Sequence, residues 1–163
     1  MPEFVAQPRG AGRRIAVIAS RFNESVVRRL VDGAVSTLVE RGTALDDIDI
    51  VWVPGAWELP VTARFLVESG RYDALVALGA VIRGETRHFD YIAGESARGL
   101  QQLTLDFGVP IAFGVLTTDD DEQAEARAGG AHGNKGADAA LAALEMADLL
   151  DGLDVANRTS DGE

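Results

Sequence analysis

The sequence predicts a single doubly wound α/β domain, a three-layer α/β/α sandwich around a four-stranded parallel sheet. Three observations point to it. Four short apolar runs recur along 163 residues, each long enough for a buried strand and too short for a helix. Segments with apolar residues at helical spacing separate them. Strands alternating with helices at this spacing imply right-handed βαβ units with helices on both faces of the sheet. The length fits one domain and is short for two.

Each element follows in order. Met1 to Gly12 is mixed, with Pro2, Pro8, Gly10 and Gly12, and reads as an N-terminal tail or edge segment (residues 1–12) that needs a neighbour for order. Ile15 to Ala19 is the first strand. Val26, Val27, Leu30, Val31, Ala34, Val35, Leu38 and Val39 form the first helix, with Asn23 or Ser25 as cap and Gly42 as stop. Ile48 to Val53 is the second strand, broken by Pro54-Gly55. Pro60 suits the first turn of a helix carrying Val61, Phe65 and Leu66. Ala74 to Leu78 is the third strand, ending at Gly79, and a polar loop leads to a helix through Leu100, Leu103 and Leu105. Pro110 to Val115 is the fourth strand. A short helix over Asp121 to Ala128 and an Ala-rich one over Lys135 to Leu150 close the domain, with Leu141, Leu144 and either Ala147 or Met146 facing inward. The domain thus spans residues 13–150, and residues 151–163 lose periodicity and read as a frayed tail.

Composition narrows the function classes. With 26 acidic and 15 basic residues the formal charge is -11, which disfavours nucleic acid and anionic membranes as partners. The acidity reads as a solvated surface. Cys is absent, which excludes disulfides, thiolate metal sites and a cysteine nucleophile. No segment has the roughly 18–20 consecutive apolar residues of a membrane span. The first twelve residues lack a signal-peptide core, so the expected location is the cytoplasm.

In open parallel sheets, ligands bind beyond the carboxyl ends of the strands. Polar and aromatic residues cluster there in this sequence. Ser20-Arg21-Phe22-Asn23 follow strand one, and Pro54-Gly55-Ala56-Trp57-Glu58 follow strand two. Gly79 to Phe89 follow strand three, and Thr117-Thr118 with Asp119-Asp120-Asp121 follow strand four. Histidine is the side chain whose ordinary titration range suits proton transfer near neutral pH. His88, in a loop between charged groups, is either such a group or a solvated loop residue. His132, in Gly129-Gly130-Ala131-His132-Gly133, reads as part of a mobile loop. No HxxxH or HExxH spacing is present, and nothing demands a metal or redox cofactor. Arg83-Gly84-Glu85-Thr86-Arg87 offers backbone donors, a hydroxyl and guanidinium groups to a phosphate monoester, and Arg127 completes that pocket or makes a surface pair. No Walker or GxGxxG motif follows strand one, which disfavours nucleotides. Phe22 and Trp57 either stack a flat heterocycle or plug the space under a loop. Glu58 either accepts hydrogen bonds from ligand hydroxyls or simply complements a helix dipole.

Five segments together carry a resemblance over residues 14–150. They are Phe22-Asn23, Gly55-Ala56-Trp57-Glu58-Leu59-Pro60, Gly79 to Tyr91, Phe113-Gly114-Val115-Leu116-Thr117-Thr118 and Gly133-Asn134-Lys135-Gly136. In this order they closely resemble the lumazine synthase family of riboflavin biosynthesis. The resemblance implies a flavodoxin-like fold and a transferase needing no cofactor. The implied reaction condenses 5-amino-6-(D-ribitylamino)uracil with 3,4-dihydroxy-2-butanone 4-phosphate. It yields 6,7-dimethyl-8-ribityllumazine, phosphate and water.

By resemblance, Phe22 stacks on the pyrimidine beside Asn23, and Ala56, Trp57 and Glu58 hold the ribityl chain. Ala80, Val81 and Ile82 present backbone groups to the pyrimidine edge. Glu85 and Thr86 sit at the phosphate, with Arg127 as charged clamp. His88 transfers protons. Phe113 closes the pocket, Lys135 lies near the uracil, and Asp138 orients or polarises His88. The resemblance also implies pentamers with active sites between subunits, with decamers or icosahedral shells as larger forms and riboflavin synthase as a partner. Larger assemblies of so acidic a chain are salt-sensitive. Arg87 departs from the family pattern, which often has Pro there. The alternative is a shell protein that binds lumazine or flavin without catalysis. A riboflavin synthase of the same fold is disfavoured by the phosphate-binding residues, and a phosphoacceptor regulator by the lack of an Asp after strands one to three.

Overall fold

A computed structural model describes residues 1–160. Four parallel strands form the sheet: β1 (Ile15–Ser20), β2 (Ile48–Val53), β3 (Ala74–Ile82) and β4 (Ile111–Thr118), in the order β2-β1-β3-β4. Five helices accompany them: α1 (Glu24–Glu40), α2 (Leu59–Glu68), α3 (His88–Phe107), α4 (Asp121–Ala126) and α5 (Lys135–Ser160). A two-stranded antiparallel ribbon, β5 (Ala128–Gly130) with β6 (Gly133–Asn134), precedes α5. The chain winds from β1 outward to β2, then returns past β1 to β3 and β4. The direction therefore reverses between β1 and β3, the place where open α/β sheets bind ligands.

The period-2 alternation of the strands feeds two cores. Ile15, Val17 and Ala19 of β1, with Val76 and Leu78 of β3, pack under α1 and α5. Ala16 and Ile18 of β1, with Leu75 and Ala77, pack under α2 and α3. All six β1 residues are buried, which is why that segment reads as one continuous apolar run.

Several boundaries differ from the sequence expectation. β3 continues past Gly79 to Ile82, because Ala80, Val81 and Ile82 stay paired with Leu116, Thr117 and Thr118 of β4. Gly79 marks a close approach and no break: a Cβ there would lie 2.9 Å from Ser20 Oγ. α3 starts at His88, so the polar loop is shorter than expected. In α2 the buried face is Leu59, Ala63 and Val67, while Val61 and Phe65 face outward. In α5, Leu144 and Ala147 point inward, Leu141 is half-buried and Met146 is exposed.

α5 also runs on through residues 151–160, where fraying was expected, and residues 161–163 lie outside the described part. The N-terminal segment supports this extension. Gln7 N–H donates to Asp148 Oδ2 at 2.9 Å, and Arg13 Nη1 meets Asp151 Oδ2 at 2.6 Å. Within the last turns, Arg158 pairs with Asp154 at 2.9 Å. The predicted stop of α1 is present: Gly42 adopts φ 103°, with its N–H on Val39 O and the Thr43 N–H on Leu38 O.

At the amino ends of the strands, the Tyr72 hydroxyl donates to Asp49 Oδ2 at 2.6 Å. That hydrogen bond, with Arg14 at 3.5 Å and Arg71 at 3.6 Å, holds the Asp49 carboxyl below its usual range against the opposing effect of burial. Burial, then the bond to Asp49, pushes the Tyr72 hydroxyl up.

Candidate active site

The turn after β1 is bonded to β2: Arg21 N–H donates to Val53 O and Phe22 N–H to Pro54 O. This sets Phe22 beside the turn Ala56–Glu58. Phe22 is 70% and Trp57 57% exposed, so neither is a plug under a loop. Asn23 holds the N-cap position of α1 at φ 58°, but its side chain caps nothing. Its amide instead donates to Ala80 O at 2.9 Å, stitching the Phe22 turn to β3. Asn23 therefore engages the carbonyl of Ala80, one of the residues expected to present backbone groups to a ligand. Glu58 sits at the N-cap position of α2 without making a side-chain cap.

A cleft of about 540 Å³ opens at these strand ends. Phe22, Ala56, Trp57, Glu58, Ala80, Val81, Ile82, Thr86 and His88 all line it. Nine of the predicted site residues thus meet in one cleft; Asn23 and Glu85 do not line it, and Glu85 is exposed. The His88 N–H donates to Thr86 Oγ1 at 3.3 Å, which turns the loop into the first turn of α3. Gly84 of the expected phosphate segment also lines the cleft, as do Phe89 and Ile92, which were given no role. The available signal was helical spacing: Phe89 and Ile92 are three apart, on one face of a helix that begins at His88.

The remaining predicted residues lie elsewhere. A second cleft of about 380 Å³ runs between β4 and α5. Phe113, Arg127, Lys135 and Asp138 line it. Within one chain Asp138 does not orient His88. Its carboxylate pairs with Lys135 Nζ at 3.1 Å. Arg127 Nη1 donates to Gln123 O at 3.0 Å, within its own short helix. The histidine and the expected phosphate clamp are therefore on two separate clefts.

The supporting loops have structural reasons. In the Asp119-Asp120-Asp121 run, Asp120 Oδ1 accepts the Gln123 N–H at 2.8 Å and caps α4, while Gln123 Oε1 accepts the Asp119 N–H at 2.9 Å. The run is more than surface acidity. Asn134 Oδ1 accepts the N–H groups of Gly136 and Ala137, capping α5, and its amide donates to Arg29 O of α1 at 2.9 Å. His132 sits in the β5–β6 turn, with its N–H on Ala126 O. Among the described residues no group of three or more His, Cys, Asp or Glu is placed to hold a metal. No helix there is long and apolar enough to cross a membrane.

A sequence profile described as 6,7-dimethyl-8-ribityllumazine synthase matches residues 12–151. A protein of Gemmatimonas aurantiaca named 6,7-dimethyl-8-ribityllumazine synthase is 66% identical over 151 residues, which is 93% of this chain and 92% of that protein. The profile covers both clefts and every strand, and the relative spans nearly its whole length. The chain belongs to the 6,7-dimethyl-8-ribityllumazine synthase family.

Proposed function

We propose that this chain catalyses the condensation of 5-amino-6-(D-ribitylamino)uracil with 3,4-dihydroxy-2-butanone 4-phosphate, giving 6,7-dimethyl-8-ribityllumazine, phosphate and water. Family membership carries the reaction. The supporting observation is the content of the larger cleft: two exposed aromatic faces, a carboxylate, strand-edge backbone, a hydroxyl and one histidine.

The roles follow from that content. Phe22 stacks the pyrimidine, with Asn23 positioning its turn through Ala80. Ala56, Trp57 and Glu58 hold the ribityl chain, Glu58 accepting from its hydroxyls. Val81 and Ile82 face the pyrimidine edge from β3. The 5-amino group attacks the ketone and forms a Schiff base. Proton abstraction and loss of phosphate follow, and ring closure completes the lumazine. The amine is already nucleophilic, so the chain supplies orientation, proton transfer and anion binding. His88 moves the protons. Thr86, the Glu85 backbone and Arg127 take the phosphate.

Arg127, Phe113 and Lys135 reach this chemistry from a neighbouring copy. The separation of the two clefts supports an oligomer in which the His88 cleft of one subunit meets the Arg127 cleft of the next. We take that oligomer to be a pentamer or a multiple of it, working in the cytoplasm and handing lumazine to riboflavin synthase. The working unit is the domain of residues 13–150, flanked by residues 1–12 and 151–163.

The test is steady-state formation of the lumazine chromophore together with phosphate, from the two purified substrates at neutral pH without added metal. Equal yields of product and phosphate are expected. Folded protein that binds lumazine tightly and releases no phosphate would establish the non-catalytic shell in its place.

A further inference from the structure

Arg83 was expected to offer its guanidinium to phosphate, and in the structure that group is engaged elsewhere. Its Nε donates to Asp119 Oδ1 at 3.1 Å, and its Nη1 lies 3.8 Å from Asp90 Oδ1. Its Cζ stands 4.5 Å from the centre of the Phe89 ring. Its own N–H donates to Thr118 O at 2.8 Å. One side chain thus touches both residues that follow His88 and one residue of the β4–α4 corner.

The segment it spans has little packing of its own. Gly84, Glu85, Thr86 and Arg87 are all exposed, and a Cβ on Gly84 would meet nothing within 4 Å. The loop's polar links are the His88 N–H on Thr86 Oγ1 and the Asp90 N–H on Arg87 O. Phe89, which lines the cleft, has its ring under the Arg83 guanidinium. At the other end, Asp119 adjoins Asp120, the cap of the six-residue helix that leads to Arg127. Arg83 therefore touches the elements that carry His88 and Arg127, without lining either cleft.

We infer that Arg83 is a positioning residue: by clamping Phe89, Asp90 and Asp119 it holds the phosphate-side loop and the His88 turn in register with the β4–α4 corner. This rests on the function proposed above. Both partners of the Asp119 pair are half-exposed or more, so the clamp adds little to global stability. Its effect is local, and small displacements of catalytic groups are costly to rate. The guanidinium fork serves two carboxylates and a ring at once, which a lysine ammonium cannot do. The Phe22 side of the cleft is tied instead through β1, β2 and Asn23, none of which Arg83 touches.

The experiment compares Arg83→Gln, Arg83→Lys, Asp119→Asn and the Arg83→Gln/Asp119→Asn double variant with the parent. It reads kcat, the KM of each substrate, the melting point, and calorimetric affinities for inorganic phosphate and for ribitylaminouracil. In Arg83→Gln, kcat/KM for the butanone phosphate should fall about tenfold, while the KM for ribitylaminouracil stays within about twofold. Arg83→Lys should fall nearly as far, and the double variant no further than Arg83→Gln, because the two residues act through one contact. Full activity in Arg83→Lys would overturn the inference in favour of a simple charge effect. Constants unchanged in all variants, or both KM values rising with a lowered melting point, would overturn it as well. Should Arg83→Gln fail to fold, Asp119→Asn carries the same comparison. If the parent itself showed no turnover, the proposed reaction would fail first. Calorimetry would still decide the clamp: weakened phosphate with unchanged pyrimidine supports it, and both unchanged overturns it.

Discussion

His88 is an exposed residue at the first position of α3, and it is the histidine of the larger cleft. A single positioned acid–base group typically contributes roughly 10²–10⁴-fold to rate, and the amine needs no activated nucleophile. His88→Ala should therefore lose kcat by that factor, keep measurable turnover and bind both substrates as before. Complete loss of activity in a folded, substrate-binding variant would refute the assignment. Asp49 is the residue with the clearest electrostatic consequence. Its carboxyl is held below the usual range, so its stabilisation is present above the unfolded value of about 4 and is lost as pH falls through the lower folded value. Tyr72 is pushed up, so its share is present below about 10 and is lost as pH rises beyond it. Asp49→Asn should destabilise the protein at pH 7, and the deficit should shrink toward pH 3. Urea midpoints at the two pH values check this, and an equal deficit at both would count against it. At this scale residue types were readable and partners were not. Asn23 is a cap type at a cap position, yet its amide is used by Ala80, 57 residues away.

Among the elements, the α1–α5 contact depends on Gly33 of α1 and on Asn134 and Gly136 of the Gly133-Asn134-Lys135-Gly136 motif. A Cβ on Gly136 would collide with the Leu30 carbonyl of α1, and one on Gly33 would collide with the Asn134 side chain. Glycine at both positions lets the helices approach, and Asn134 fills the gap while capping α5. Asn134→Ala removes that cap and the bond to Arg29, at a cost of about 1–2 kcal/mol. The melting point should drop by roughly 2–8 °C. An unchanged melting point would show that water replaces the cap without loss. The second strand was legible to the residue, because Pro54-Gly55 stops it where its pairing with β1 ends. β3 was read four residues short. A glycine that ends a strand and a glycine that admits a neighbouring hydroxyl look alike in sequence, and only Ser20 distinguishes them. The start of α3 was missed for a related reason. It is made by a threonine hydroxyl after a polar run, and the apolar spacing that starts at Phe89 is interrupted by Asp90 and Tyr91.

For the whole molecule, the decisive fact is that His88 and Arg127 lie on different clefts of one chain. On the function proposed above, a working site then needs a second copy, and this has a direct test. His88→Ala and Arg127→Ala proteins, each impaired alone, should regain activity when unfolded together and reassembled. Random pairing leaves roughly a quarter of the interfaces with both residues intact. No recovery in properly mixed oligomers would argue that each chain carries its own complete site. Length, charge, the alternation of strands and helices, the strand-end clustering and the family resemblance were all properties of the sequence by itself. They depend on local periodicity and on residue order, which survive without coordinates. The tertiary structure decided the rest: that β3 carries Ile82 to the rim, that Asp138 pairs with Lys135 within its own chain, that Arg83 is clamped, and that the site residues divide into two sets. Each of these is a meeting between segments far apart in the chain. Such meetings are set by how the helices pack across the sheet, and no local pattern encodes them.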